Sequence, residues 1–521
     1  MDKEGAVVGQ QGDMHEGLAA DSSGEGASRF SSGKSPQWRL AREEAGVAFE
    51  EGEGEEDGAR PSSGKVPFIA ALPLWRKWSI IVIYFFIQLS AHFNTAVYSD
   101  GVQPISDHFH VSQQAARVGQ AVFLVAYAIG AQIWSPWSED KGRKMVIQLS
   151  LTLVNAMQIL CALAPNFGAL VVGRALGGLF TCSGSVSVGI VADVFGSREP
   201  YATALIIFGS VGGSALGPVV GPFVHAYLSW HWFFWLQLIF GAVVQLLHLV
   251  FVPETRHKII AERYRKRFGP HSSEEKKKTR DMLAKAKDIA ATTTRSLEMI
   301  AREPIVQCCS LLSGFSDALI FSFMGSFRLI YAQWGFEAPV TAAAFAPVWI
   351  GYFLCLASFV IPTERIKTLE RTQPQVLTPE SRLLWLLFTG PLLVIGLFGF
   401  AWTSFGPSHN PWIAPMIFTA LVGIANLAIY IATIDYCVYS YGPYASSAAS
   451  GNTFVRNILA GSAAMYTNPL YERLGYEWAS SLLGFISIIV VLPMFLFYFK
   501  GFEVRKRSRF AREILEKGEV R

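Results

Sequence analysis

Long apolar runs separated by short polar connections set the class of this chain. Its first 74 residues carry few apolar positions and are rich in Gly, Ser, Glu and Asp, with an acidic patch at Glu50 to Asp57. Such a segment cannot bury enough apolar area to offset its ordering entropy, so residues 1–74 are expected to be a disordered tail. Apolar runs then follow from Trp78 to about Tyr98, and at about 116–138, 145–164, 168–191, 202–225 and 231–252. Each has about the 20 residues that cross a bilayer at 1.5 Å per residue. From Pro253 to Glu303 the chain turns hydrophilic, with fourteen Lys or Arg against eight Asp or Glu. This stretch reads as a linker, with surface helix expected from about Glu274 to Arg302. Six further runs follow at about 305–331, 341–361, 383–404, 411–435, 444–466 and 478–499, then a tail over 501–521. The expected fold is an all-α membrane protein of twelve transmembrane helices, in two six-helix bundles at 75–252 and 304–500.

Composition agrees: of 521 residues, 51% are hydrophobic and only 16% charged, too apolar for an ordinary soluble protein of this length. Charge distribution adds orientation. Most of the loops near 139–144, 193–200, 253–303, 363–382 and 436–443 carry basic residues, whereas those near 165, 228, 335 and 407 carry none and Arg473 is the exception. Basic loops are retained inside, so both termini are expected in the cytoplasm. Trp230, Trp232, Trp235, Trp402, Trp412 and Trp478 fall at the outer ends, where aromatic belts form. The six cysteines lie in apolar segments and suggest no disulfide framework.

Within the spans, a few residues are out of place in hydrocarbon. Gly213–Pro222, GSALGPVVGP, puts three glycines and two prolines in the fifth run. In a bundle such a stretch is either a close-packing seam or a bend. Arg174 sits in the fourth run near its outer end, where it must snorkel, pair or face a wet cavity. Asp317 lies about mid-membrane in the seventh run; an ionisable group there points to proton exchange or cation binding, or to a structural pair with Arg456. Asp100, followed by Gly101, suggests a turn or an outer gate, and Arg328 could snorkel at its outer end. His92, Asn94, Gln132, Asn426 and Asn452 are candidates to line a substrate cavity with Asp317, or to form interhelical hydrogen bonds.

The loop WSPWSEDKGRKM, Trp134–Met145, resembles the signature loop of the major facilitator superfamily, matched at Glu139, Gly142, Arg143 and Lys144. Ser135 stands at the usual leading glycine and Asp140 at the usual first arginine. Arg174 matches an arginine that the family associates with proton coupling, and Gly213, Gly217, Pro218 and Gly221 match the fifth-helix motif of its drug:proton antiporters, with Pro222 at the usual second glycine. WHWFFW, VPETR, YIATIDY, YGPYASSAASGNTFVRNILAG and AMYTNPLY resemble the fungal multidrug and polyamine exporter branch, with His231 where arginine is common; the resemblance spans about 75–500. It implies conformational switching by the loop residues and the fifth-helix motif, and proton coupling through Arg174. Asp193 and Asp435 each end the fourth helix of their half before a glycine-rich fifth helix. This weak internal repeat adds Asp193 to the switching set.

The resulting expectation is a proton-coupled exporter of amphipathic organic compounds, such as a drug, a secondary metabolite or a polyamine, working by alternating access. Its partners would be that small molecule and protons, with no cofactor and no nucleic acid, and it would be a monomer in the plasma membrane or alternatively the vacuolar membrane. A nucleotide-binding Gly-x4-Gly-Lys-Ser/Thr is lacking, and no paired carboxylates, metal spacing or nucleophile constellation suggests an enzyme. Uptake of a nutrient, or a non-transporting receptor or scaffold, are the alternatives.

Overall fold

A computed structural model describes residues 72–195, 199–268, 294–373 and 378–516. The expected tail lies almost wholly outside the described residues, as does the 274–293 part of the expected surface helix; residues 294–302 are helical. The first bundle contains α1 (Leu74–Ala96), α2 (Tyr98–Phe109), α3 (Gln113–Lys141), α4 (Arg143–Ala162), α5 (Phe167–Phe180), α6 (Ser183–Phe195), α7 (Pro200–Tyr227) and α8 (Trp232–Phe251). After α9 (His257–Phe268), the second contains α10 (Pro304–Tyr331), α11 (Ala346–Thr372), α12 (Leu384–Thr389), α13 (Pro391–Thr403), α14 (Ile413–Tyr441), α15 (Ala445–Leu474) and α16 (Tyr476–Arg507); α17 (Arg509–Glu516) closes the described chain.

Among the described residues, ten helices are long and apolar enough to cross a membrane. The other two spans of the twelve depart from the hydropathy pattern for identifiable reasons. The fourth, expected as one run over 168–191, is broken into α5 and α6 at Thr181, whose backbone is extended (φ −76°, ψ 114°). Side chains stabilise the break: Cys182 N donates to Ser150 Oγ at 3.2 Å and Gly184 N to Tyr127 Oη at 3.0 Å. The eleventh, α15, is thirty residues long but carries Ser447, Ser450, Asn452, Thr453, Arg456 and Asn457 as buried polar positions. Its polar content faces protein, which is why a helix of modest hydropathy can stand inside the bundle.

The first span continues past its expected end, because α1 runs through Val97 into α2. Asp100 and Gly101, expected at a turn, are therefore helical. The stretch Gly213–Pro222 lies within a continuous α7 that continues to Tyr227, so Pro222 does not end it. Gly209, Gly213, Gly217 and Gly221, spaced by four, form one stripe against α1 and α2; a Cβ on them would run into Phe85 O, Leu89 O, Ala96 and Asp100 respectively. This is the close backbone approach of a packing seam. Each bundle repeats the same closeness between its second and fourth spans: Gly130 and Gly178 abut Leu179 O and Phe123 O, while Gly351 and Gly423 abut Ala420 O and Val348 O. The bundles meet along α3 with α15 and α7 with α11.

Candidate functional site

Polar groups join the two bundles at three levels. At the end bearing Arg143, hereafter the basic end, Arg143 opens α4 and is 3% exposed. Its backbone N donates to Glu254 Oε1 at 2.9 Å, its Nε to Asp193 Oδ2 at 3.1 Å and a terminal nitrogen to Ser138 Oγ at 2.6 Å. Glu139 stands 3.7 Å from the same guanidinium, and Arg256 reaches Asp193 at 3.3 Å. Gly142 makes the turn at φ +103°, where a Cβ would also collide with Glu254. Gly142→Ala is accordingly expected to destabilise the protein by about 1–2 kcal/mol from backbone strain alone, read as a lowered melting temperature of the detergent-solubilised protein. Lys144, grouped with these residues on the loop motif, is not brought into the cluster: its Nζ donates to Leu249 O at 3.0 Å. Asp140, at the family's arginine position, pairs instead with Lys258 at 3.6 Å.

The second bundle repeats this arrangement. Arg382 donates to Asp435 at 2.9 Å and Glu370 at 2.8 Å, and Arg505 makes two bonds to Glu380 at 2.8 and 3.0 Å. Asp435 was legible as the mate of Asp193. Its arginine was not, because Arg382 lies in a polar loop that reads as an ordinary connection, and Glu254, inside VPETR, carried no separate signal. Across the bundles, Lys367 pairs with Glu199 at 2.8 Å, Tyr201 donates to Glu364 at 2.6 Å and Ser446 to Glu139 at 3.3 Å.

At mid-level the bridge is Arg456 of α15, which the sequence offered only as a partner for Asp317. Its guanidinium lies over the Tyr430 ring at 4.1 Å and reaches Ser210 Oγ and His92 Nε2 in the first bundle, both at 3.3 Å. His92 Nδ1 faces Gln88 O at 3.1 Å, and a carbonyl only accepts, so the ring proton is assigned to Nδ1 and Nε2 accepts from Arg456. Asp317 is 3% exposed and its Oδ2 has no hydrogen-bond partner. Arg456 directs its terminal nitrogens elsewhere, so the structural ion pair between them is not formed among the described residues.

Arg174 does not snorkel. It is 1% exposed, held between the rings of Phe123 (4.2 Å) and Tyr98 (4.8 Å), and donates to Asn94 Oδ1 at 2.8 Å, Asn94 O at 3.3 Å and Gly119 O at 3.3 Å. The other cavity candidates are also bonded between helices. Gln132 donates to Ser450 O across the bundles at 2.7 Å, Asn452 to Ser313 Oγ at 2.8 Å, and Asn426 to Ser316 at 3.0 Å while accepting from Tyr352 at 3.1 Å.

At the far end Arg328 is exposed, as snorkelling requires, and donates to Gln103 of the first bundle at 2.9 Å, and Gln114 donates to Met465 O at 2.8 Å. Here Trp230 folds inward, 6% exposed and stacked on His231 at 3.9 Å, whereas Trp402 and Trp478 are exposed as a belt requires. A cavity of about 420 Å³ lies between the bundles at this end, lined among others by Asp100, Gln120, Arg328 and Thr467; one of about 270 Å³ lies at the basic end beside Arg143, Asp193 and Asp435.

Two pseudo-repeated six-helix bundles, joined by breakable polar contacts at both ends and at the centre, define the secondary-transporter class. The family model of the Major Facilitator Superfamily matches residues 84–465, and the chain belongs to that family. It is 30% identical to an uncharacterized transporter of Schizosaccharomyces pombe, covering 84% of this chain and 82% of that protein. It is 28% identical to the efflux pump FUB11 of Gibberella moniliformis, covering 85% and 75%. Its fold matches the partially occluded inward-open xylose transporter XylE of E. coli, with TM-score 0.56, 15% identity and coverage of 81% and 98%. The protein is thus a multi-pass membrane transporter, and not an enzyme.

Proposed function

We propose that this transporter exports amphipathic organic compounds in exchange for protons, by rocking its bundles about the mid-level contacts. The observation that carries the reading is the centre itself: a buried carboxyl, Asp317, whose Oδ2 has no hydrogen-bond partner, and a guanidinium, Arg456, whose terminal nitrogens hold the opposite bundle. A proton arriving at Asp317 and a change of partner at Arg456 are then one event. Outward direction is supported by the likeness to an efflux pump. In this reading the basic end faces the cytoplasm with both termini, the protein acts as a monomer, and its membrane is the plasma membrane. Arg143, Asp193, Glu139 and Gly142 hold the cytoplasmic end closed, Lys144 anchors the loop, and the stripe of Gly213, Gly217 and Gly221 with Pro218 guides α7 as it slides on α1. Arg174 positions Asn94 and, through α1, His92. Substrate displaces the inter-bundle bonds of His92 and Gln132, with Asn426 and Asn452 behind them. The test is accumulation in sealed inside-out vesicles under an imposed proton gradient, with a panel of amphipathic compounds and polyamines. Gradient-dependent accumulation is expected for at least one; none at all, or accumulation surviving full collapse of the gradient, overturns the reading.

A further inference from the structure

The C-terminal segment is fastened to the basic end by carboxylates that the transport reading does not use. Glu303, fully buried where the linker meets α10, accepts from Tyr441 Oη at 3.0 Å, from Phe510 N at 3.2 Å and from Ser508 Oγ. Ser508 is 2% exposed and breaks the chain between α16 and α17 with an extended backbone (φ −76°, ψ 135°). Phe510 packs its ring on Tyr444 at 5.2 Å, and Arg509 pairs with Glu298 at 2.9 Å. Tyr441 and Tyr444 flank the turn between spans ten and eleven, and Ser446, two residues on, donates to Glu139 of the other bundle. The docked segment thus packs on the turn that leads directly into a contact between the bundles at the basic end.

Around Ser508 the sequence reads Arg505-Lys506-Arg507-Ser508-Arg509, with Lys506, Arg507 and Arg509 exposed and the hydroxyl between them turned inward. We propose that Ser508 is a phosphorylation site for a basic-directed protein kinase, and that its modification releases the C-terminal segment and loosens the closed basic end. In the reaction the Ser508 oxygen forms a bond to the γ-phosphorus of ATP, the bond from that phosphorus to the β,γ-bridging oxygen breaks, ADP leaves, and the hydroxyl proton passes to the kinase's base. The exposed cations are what an acidic kinase cleft reads, and the hydroxyl becomes available when the segment opens. Return is then blocked. A phosphate at a helix N-terminus is ordinarily favourable, but here that place is taken by the Glu303 carboxylate. Phosphorylation removes one of the three donors that Glu303 accepts from and sets about two negative charges against it. Of the neighbouring cations, Arg505 is already engaged by Glu380 and Arg509 by Glu298.

The inference rests on the basic end facing the cytoplasm, and two arms separate failure of that orientation from failure of the site. In the first, the full-length purified protein is treated with the catalytic subunit of cAMP-dependent kinase and ATP; phosphate is located by mass spectrometry, and hydrogen exchange is followed at Phe510 and Ala511. Phosphate at Ser508 with at least tenfold faster exchange is expected. Ser508→Glu should match it without kinase, and Ser508→Ala should exchange at the same rate with and without treatment. Phosphate with unchanged protection, a fully protected Ser508→Glu, or no phosphate even on a Phe510→Ala variant shown by exchange to be released, overturns the proposal. In the second arm, protein isolated from growing cells is mapped; phosphate at Ser508 supports the site in the cell, and its absence alongside a positive first arm overturns the assigned orientation or its use there.

Discussion

Replacing Arg174 by alanine is expected to cut gradient-driven transport at least a hundredfold while leaving folded protein in the membrane. The guanidinium joins three spans, since α5 carries it, Asn94 of α1 accepts from it twice and Gly119 of α3 once. Asn94 lies two residues from His92, so the segment that bonds Arg456 of the other bundle is set by Arg174 through α1. Its loss forfeits those bonds and two cation–π contacts, each worth about 0.5–2 kcal/mol. It also removes a charge that, among the described residues, has no carboxylate within ion-pair distance, and an uncompensated ion at such depth costs at least about 2.5 kcal/mol. The two effects oppose each other, which is why the fold should survive where transport does not. Arg174→Lys should recover less than a tenth of the activity, because an ammonium cannot hold Asn94 and Gly119 in the fixed fork of a guanidinium. Vesicle accumulation beside a melting curve on the same preparation checks both. Full activity in Arg174→Ala removes the residue from the mechanism.

What the sequence made legible, and what it hid, follows from the range of the contacts. Span positions depend on runs of about twenty residues and are visible locally, as is the loop from Glu139 to Lys144, whose contact between Glu139 and Arg143 joins residues four apart in the chain. The break at Thr181 is different: it is stabilised by Ser150 and Tyr127, hydroxyls thirty or more residues away, so the apolar run over 168–191 gave no sign of it. Polar residues inside spans could be recognised as candidates, but not their partners. Asn94 serves Arg174, and Asn426 and Asn452 bond within the second bundle, while only His92 and Gln132 of that set reach across. Arg456 was undervalued for the same reason, since nothing local distinguishes a cation that braces its own helix from one that spans two bundles. The seam reading of Gly213–Pro222 is now geometric, because the glycine stripe touches backbone atoms of α1. Its role as a bend depends on a second conformation and stays with the proposed cycle.

Asp317→Asn is expected to reduce gradient-driven accumulation at least fiftyfold, while exchange of substrate across the membrane without a gradient stays within about threefold of wild type. The carboxamide keeps the size and hydrogen-bonding reach of the carboxyl but cannot give up a proton, so it separates coupling from packing. In the state described here Asp317 has a buried Oδ2 without a partner, and the terminal nitrogens of Arg456 are turned to His92 and Ser210. An ionised carboxyl at this depth is unfavourable unless paired, and no ion pair to Arg456 forms here, so the proposed cycle places the proton on Asp317 in this state. When the bundles part, Arg456 loses its bonds to His92 and Ser210 and can turn to an ionised Asp317, which stabilises the charge that proton release creates. In the proposed cycle, proton release and bundle separation would thereby favour one another. The amide abolishes this reciprocity: the bundles still rock and carry substrate down its own gradient, but no proton moves with them. Loss of exchange as well as accumulation in a folded Asp317→Asn protein would instead make Asp317 a substrate-binding group, and unchanged gradient-driven accumulation would exclude it from proton coupling.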